Sequence, residues 1–395
     1  MEKLRIVIGG FIGLYATGGV TWDYIQYPLG LKMLGHDVYY IEDTMQYSKC
    51  QSEGKNWDDS SDSINYLKNI MECFGLEDRW AYRDVASGNC YGLRIEKVLE
   101  ICSTADVFLN VSSANHILKQ EYLQIPKRVI IDSDPMFTQV QYWDDADPYN
   151  AYLKIRKLYN LYNYRFCFGE NIGKPGCRIP LFDLTWLPTR QPICLPYWKP
   201  SKILPSAPFT TIMNWCTRKK MKYQNEEWGQ KDVEFKKILN LPALCKQVGF
   251  KLAVSCSADT NEVYSKERLE EKGWEIINPH TEIKSIDDYQ NFIQNSLGEF
   301  SVAKETYVKS NSGWFSCRSA CYLAAGRPVI AQETQWSNYI PAGLGAFPFS
   351  DTASAINAIE EVRSNLKKHA YAARELAIEY FDSTKVLQQL LDNLN

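Results

Sequence analysis

The segment Leu4-Arg5-Ile6-Val7-Ile8-Gly9-Gly10, followed after a glycine-punctuated stretch and a helical segment by Gly35-His36-Asp37-Val38-Tyr39-Tyr40-Ile41-Glu42-Asp43, decides the fold class. Leu4–Ile8 is a short apolar run that stops at two glycines, and a loop follows to Gly18-Gly19. Trp22, Ile25, Tyr27, Leu29, Leu31 and Leu34 then mark a mostly buried helix closed by Gly35, and His36–Ile41 reads as the next strand. Strand, glycine loop, helix, strand is how a parallel α/β sheet begins.

The same rhythm continues. Asp106–Val111 and Arg128–Asp132 are apolar runs of the kind buried in parallel sheets, and Tyr164–Gly169 is a further candidate. Residues 50–62 are polar and rich in Ser and Asp, a surface loop. Pro196, Pro200, Pro205 and Pro208 put four prolines in thirteen residues, the best linker in the chain. The pattern restarts beyond it, with strands over Phe209–Asn214, Phe250–Val254, Trp274–Ile277 and Pro328–Ala331, and helices over Val233–Leu239 and Ser316–Ala325. Ile356, Ile359, Val362 and Leu366, then Val386, Leu387, Leu390, Leu391 and Leu394, fall at helical spacing. With 395 residues, the chain is long enough for two α/β halves: 1–200, 209–370, and a C-terminal helical piece at 371–395.

Composition excludes several classes. Apolar residues are 45% and charged residues 23%, enough for two cores and an ordinary wetted surface. With 44 Lys+Arg against 47 Asp+Glu, a net −3 gives no global attraction to nucleic acid or an anionic membrane. No stretch approaches the roughly 20 apolar residues a spanning helix needs, and the N-terminal apolar run is too short for a signal peptide. A cytoplasmic protein without a transmembrane segment is expected. The 12 cysteines include no C-x-x-C pair, so free thiols rather than a zinc site or disulfides are expected.

Chemistry concentrates between Leu297 and Gly345. Ser312-Gly313 is a loop, Ser316 is placed to N-cap a helix that ends at Gly326, and Lys304, Lys309 and Arg318 add positive charge. A helix amino end carries unpaired N–H groups and about half a positive charge, which suits a diphosphate. Taken alone, the segment fits an ordinary capped helix between two strands equally well.

Here the chain resembles a known family. Gly298-Glu299-Phe300-Ser301-Val302-Ala303-Lys304, Ser312-Gly313-Trp314-Phe315-Ser316 and Gly326-Arg327-Pro328-Val329, followed by Gly343-Leu344-Gly345, look like the donor-binding region of GT-B glycosyltransferases, and especially of a bacterial, uncharacterised group of them. Gly35-His36-Asp37-Val38, Asp132-Ser133-Asp134-Pro135, Trp186–Pro192 and Phe381-Asp382-Ser383 are similar to the same group. The resemblance implies two Rossmann-like doubly wound domains facing across a cleft. The C-terminal one would hold a nucleotide-diphosphate sugar as co-substrate and the N-terminal one the acceptor. The last helix would cross back to the first domain, and neither cofactor nor metal is required. Asp132-Ser133-Asp134 spells D-x-D but lies in the acceptor half.

By that resemblance, the donor would meet Gly18 and Gly19 from the first half. From the second half it would meet Asn214, Trp215, Lys231, Lys304, Ser312, Gly313, Trp314, Ser316, Arg318 and Ser319, with His280 near the nucleobase. Many GT-B enzymes carry two glutamates with seven residues between them here; matched on Ala-x-Gly-x-Pro-Val they fall near Gly313 and Cys321, and neither is acidic. Glu333, just past the Val329 strand, is the substitute facing the sugar. The general base that deprotonates an acceptor hydroxyl is sought at a strand end, Asp134 or Asp132, with Asp23 beside the glycine loop as the rival. An Asx turn or helix cap accounts for Asp132–Pro135 equally well. His116 follows a strand end and is a lesser candidate, whereas His36 and Arg190 read as structural.

Competing functions are a GT-B sugar-nucleotide epimerase, a catalytically inactive nucleotide-sugar-binding protein and a nicotinamide-dependent dehydrogenase. The last needs G-x-G-x-x-G; Glu42 supplies its acid, but Gly9, Gly10 and Gly13 have the wrong spacing. The sugar, nucleobase, acceptor and stereochemical outcome are not encoded in any motif found. A nucleotide sugar and an acceptor, but no nucleic acid, are the expected partners.

Overall fold

The computed structural model describes residues 2–49, 56–217, 220–256 and 265–394. The 50–55 part of the polar loop lies outside the described residues, as does Cys50. Eight strands form the first sheet: β1 Arg5–Gly9, β2 Asp37–Glu42, β3 Trp80–Arg83, β4 Cys90–Gly92, β5 Val107–Val111, β6 Lys127–Asp132, β7 Tyr164–Cys167 and β8 Leu187–Pro188. Their order is β4-β3-β2-β1-β5-β6-β7-β8, parallel except for the edge strand β4. The second half has β9 Phe209–Asn214, a hairpin of β10 Met221–Tyr223 and β11 Glu226–Trp228, then β12 Phe250–Ser255, β13 Glu275–Ile277, β14 Gly298–Ser301, β15 Val329–Gln332 and β16 Ala346–Phe349. Its sheet is all parallel, in the order β13-β12-β9-β14-β15-β16.

Both sheets are doubly wound. The chain runs outward from the first strand in one direction, returns, and runs outward in the other, so strand order reverses between β1 and β5 and between β9 and β14. A ligand crevice lies at the carboxyl ends of strands where this reversal occurs. The α/β class and the two Rossmann-like halves read from the sequence are those of the structure.

The helix Gly18–Met33 joins the halves and is buried nearly all round. Trp22 packs on Trp198 with ring centroids 5.0 Å apart, and its indole N–H donates to the Ile286 carbonyl of the second half at 3.3 Å. At Gly30, a side chain would collide with Ser383 and Leu387 of the final helix, Ser383–Asp392. The Tyr164 hydroxyl donates to the Leu394 carbonyl at 2.9 Å, and the Ile193 N–H donates to the Phe381 carbonyl at 2.7 Å. Such an interfacial helix has no wet face, which is why its sequence reads apolar without a clean amphipathic period.

The hairpin crosses to the first half. Tyr223 and Trp228 join the cluster that holds Met136, Val140, Tyr159 and Trp186. Trp228 receives Arg178 at 4.8 Å and Lys309 at 4.4 Å over its ring, while Glu226 pairs with both cations. The helix expected over Val233–Leu239 starts two residues earlier, at Lys231, and tightens into a 3₁₀ turn at Lys236–Ile238. Strands β3, β4, β8, β10, β11, β14 and β16 went unread. Each is two to four residues long, too short for an alternating pattern to emerge.

Candidate functional site

The carboxyl edges of the two sheets meet at several direct contacts. Trp314 Nε1 donates to the Ser133 carbonyl at 3.1 Å. The Asn171 N–H donates to the Ser312 carbonyl at 3.0 Å, and Gly169 forms an isolated bridge with Trp314. Lys304 Nζ lies 2.8 Å from Asp134, and the Tyr307 hydroxyl donates to the same carboxylate. Gly313 sits at φ +73 with its α-carbon against Asn171; a Cβ there would lie 2.6 Å from the Asn171 nitrogen. Glycine serves twice at this position, for the left-handed backbone and for the close approach.

At the centre lies the amino end of the helix Cys317–Ala324. Ser316 stands at the N-cap position, but its hydroxyl makes no cap bond. The first-turn N–H groups are therefore left without the usual side-chain acceptor. Ser319 is fully buried and its hydroxyl is unpartnered among the described residues. A cavity of about 10 Å³ lies at this helix end, between Ser301, Ala303, Trp314, Ser316, Ser319 and Gln332. That is room for roughly one water.

Three cations converge here. Lys231, at the start of its helix and only 8% exposed, makes no ion pair or hydrogen bond through its ammonium with the described residues. Burial, then Arg318 and Lys304, push it well below the usual lysine range, against the opposing pull of Glu299 and Asp134. Arg318 is anchored beneath: it pairs with the fully buried Glu299 at 2.5 Å, donates to Ser301 Oγ at 2.6 Å, and also donates to the Ile212 carbonyl. Lys304 lies over the Phe137 and Tyr307 rings at 4.7 and 5.2 Å. Lys309 instead holds Glu226 and the Glu227 carbonyl.

Asp23 reaches this helix end from the first half. Burial raises its carboxyl to about 7, with Arg318 and a hydrogen bond from Cys317 opposing the rise. Asp132 is fully buried; it accepts from the Asp134 N–H, Gln139 Nε2 and Cys167 Sγ at 2.9, 2.9 and 3.0 Å, an Asx turn that closes it off from any acceptor. Asp134 keeps contact with the cleft, its side chain 24% exposed.

Other expected donor residues lie elsewhere or are engaged. Gly18 and Gly19 pack on Ser285 and Tyr289, a lobe-to-lobe contact in which a side chain at Gly18 would collide with the Ser285 carbonyl. Trp215 is buried against Phe235, with ring centroids 5.2 Å apart, in the core of the second half. Asn214 is exposed and accepts from Ser255. His280 is exposed in the one-turn helix Pro279–Glu282. Glu333 ties its own turn together, accepting from the Gln335 N–H at 2.6 Å and Ser337 Oγ at 2.5 Å. Ser312 accepts from the Trp314 N–H and donates to the Tyr307 carbonyl. Among the described residues, no three His, Cys, Asp or Glu side chains come together as a metal cage.

Glu299 and Tyr307 were not singled out by the sequence, although both lie inside the stretch that carried the resemblance. Their roles depend on partners 19 and 173 positions away. Glu42, the acid a dinucleotide site would need, is buried and accepts from the Gly13 and Leu14 N–H groups at 2.8 and 2.6 Å.

The chain has the GT-B fold of the nucleotide-sugar glycosyltransferases. It aligns over 99% of its length with all of an alpha-glucosyltransferase solved in complex with UDP and a 13-mer DNA containing a central A:G mismatch, at TM-score 0.56 and 12% identity. It aligns over 99% with 99% of HepE from Anabaena in complex with UDP, at TM-score 0.53 and 12% identity. Sucrose-phosphate synthase from Thermosynechococcus elongatus matches with the same coverage of both chains, at TM-score 0.52 and 11% identity. No family model and no curated protein matches the sequence. Among the described residues, no helix is long and apolar enough to cross a membrane.

Proposed function

We propose that the protein is a glycosyltransferase that takes a hexose from a nucleotide-diphosphate sugar and passes it to an acceptor hydroxyl held by the N-terminal half. The division falls at 1–200 and 209–370, with 371–395 returning to the first half. The observation that carries this reading is Lys231, a buried ammonium with no partner among the described residues, flanked by Lys304 and Arg318 at an uncapped helix end. A buried charge left this way is costly unless an anion completes it. A diphosphate is the anion we assign to this position, in keeping with neighbours of the same fold that were solved in complex with UDP.

Binding then has a defined order. The cavity at the helix end holds about 10 Å³, so the lobes must part for a diphosphate to enter. Parting breaks the Trp314–Ser133 and Lys304–Asp134 contacts. It releases Lys304 toward the diphosphate and Asp134 toward the acceptor, making Asp134 our choice of general base. Asp132 positions Asp134 through its backbone N–H. Asp23, with its carboxyl near 7, takes up a proton as the diphosphate arrives. Lys231, Lys304 and the helix end stabilise charge developing on the leaving diphosphate. These cations supply the role a metal would play, so we propose a metal-independent reaction.

Thermal-shift titration with UDP, GDP, TDP and ADP, with and without attached sugars, tests the reading. At least one nucleotide sugar should raise Tm in wild type and fail to do so in Lys231→Met. No response to any of them overturns it.

A further inference from the structure

The loops at the carboxyl edge of the first sheet carry a patch that the donor chemistry does not use. Tyr15, Tyr47 and Trp57 are 42%, 43% and 64% exposed, and Met45 and Ile117 stand out at 41% and 60%. These residues are neighbours. The Phe11 ring meets Tyr15 at 5.7 Å and His116 at 6.2 Å. Gln46 Nε2 lies 2.7 Å from His116 Nε2, and Tyr47 meets Trp57 edge to face at 4.7 Å. The Lys49 N–H donates to the Leu14 carbonyl at 3.0 Å, binding the second loop to the first.

The patch is continuous with the cleft. Phe11 meets Tyr24 at 5.7 Å, and Tyr24 lies near Ser112. Ser112 Oγ lies 2.6 Å from Ser133 Oγ, and the Ser133 carbonyl receives Trp314. Beneath it, Asn115 is 1% exposed and its side-chain amide makes no hydrogen bond with the described residues, beside Gly9 at the strand-order reversal.

Its charge is distinctive. In a chain that is 23% charged, positions 9–18, 44–48 and 111–118 contain no Asp, Glu, Lys or Arg. The backbone is also held in costly conformations there: Ala16, Met45, Ser112 and Ser113 lie at φ +41, +55, +54 and +57. Non-glycine residues persist in that region only where surrounding contacts fix the loop, and such residues cluster at binding sites.

We infer that this aromatic patch is the acceptor subsite and that it takes a neutral carbohydrate chain, its sugar rings stacked on Trp57 and Tyr47 and its hydroxyls facing Gln46 and His116. The inference rests on the transferase reading for its purpose. An aromatic face with amide and imidazole groups beside it offers the apolar plane and the hydrogen bonds that a pyranose presents. The stretch that joins Tyr47 to Trp57 and continues past it holds Lys49, Glu53, Lys55, Asp58 and Asp59, three acids to two bases, so it offers a phosphorylated or sulfated acceptor no net attraction.

The test is a printed array of neutral oligosaccharides beside sulfated and sialylated ones, probed with the whole protein without a nucleotide sugar. The best neutral hit is then titrated. Wild type should retain neutral glycans, Trp57→Ala with Tyr47→Ala should bind the titrated glycan at least tenfold more weakly, and Trp57→Phe should keep most of the affinity. UDP-induced Tm shifts should be equal in all three proteins, so loss of the donor reading and loss of this one register separately. Because the substituted side chains are exposed, Tm without ligand should not change. Retention of charged glycans alone, of none, or of neutral ones equally by the double variant overturns the inference. So does sedimentation with phosphatidylcholine–phosphatidylglycerol vesicles that the double variant loses, which would assign the patch to a lipid surface.

Discussion

Replacing Lys231 by methionine keeps the reach of the side chain and removes its charge. The ammonium is buried near Arg318 and Lys304, without a hydrogen-bond partner among the described residues. Exchanging a buried charge for an apolar side chain of similar volume is neutral to stabilising by about 1–4 kcal/mol. For a lobe of about 200 residues, each kcal/mol is about 2–4 °C in Tm. The pH dependence has a fixed sign. Lys231 is depressed in the folded protein, so the unfolded chain binds more protons below the ordinary lysine value, and this group's contribution to stability rises with pH. The Tm advantage of Lys231→Met should therefore be larger at pH 6 than at pH 9. UDP binding should move the other way. Losing a charge-assisted bond to phosphate costs about 1.5–3 kcal/mol, roughly a 10–150-fold weaker Kd. Calorimetric titration of UDP and differential scanning calorimetry of both proteins measure the two effects. A variant that binds UDP like wild type, or that melts lower without ligand, refutes the assignment of Lys231 to the anion site.

Arg318→Ala leaves the fully buried Glu299 without its cation and should cost about 3–5 kcal/mol, read as a lower denaturant midpoint; an unchanged midpoint would free Arg318 for a direct donor role. Gly313→Ala introduces a left-handed alanine and a Cβ 2.6 Å from the Asn171 nitrogen, so a loss of about 1–3 kcal/mol is expected in the same measurement. Asp23 rises to about 7 on folding, so its stabilising contribution is complete below about pH 4 and lost as pH climbs through 7. Asp23→Asn should flatten stability over that range and tighten UDP at pH 8, where the wild-type carboxylate repels the diphosphate; equal UDP affinity at pH 6 and pH 8 in wild type would exclude that role.

The sequence determined the fold through local and periodic features. Leu4–Gly10 and Gly35–Asp43 establish a parallel sheet because apolar strands, glycine turns and helix spacing are properties of neighbouring residues. The proline cluster ending at Pro208 and the fresh strand at Phe209 mark where the pattern restarts for the same reason. The site was legible as a stretch, 297–345, but not as a set of roles. Gly18 and Gly19 look like a ligand loop until Ser285 and Tyr289 are found against them. Trp215 follows a strand end, yet packs into the core against Phe235. Arg318 reads as a phosphate ligand, yet its charge is taken up by Glu299. Lys231 reads as one donor contact among many, yet it is the buried cation. A charged side chain's role is set by what neutralises it, and that partner stands across a sheet or across the cleft. Periodicity fixes which face of a strand is buried, whereas only the docking of the two lobes brought Asp23, Asp134, Lys231 and Lys304 to one helix end.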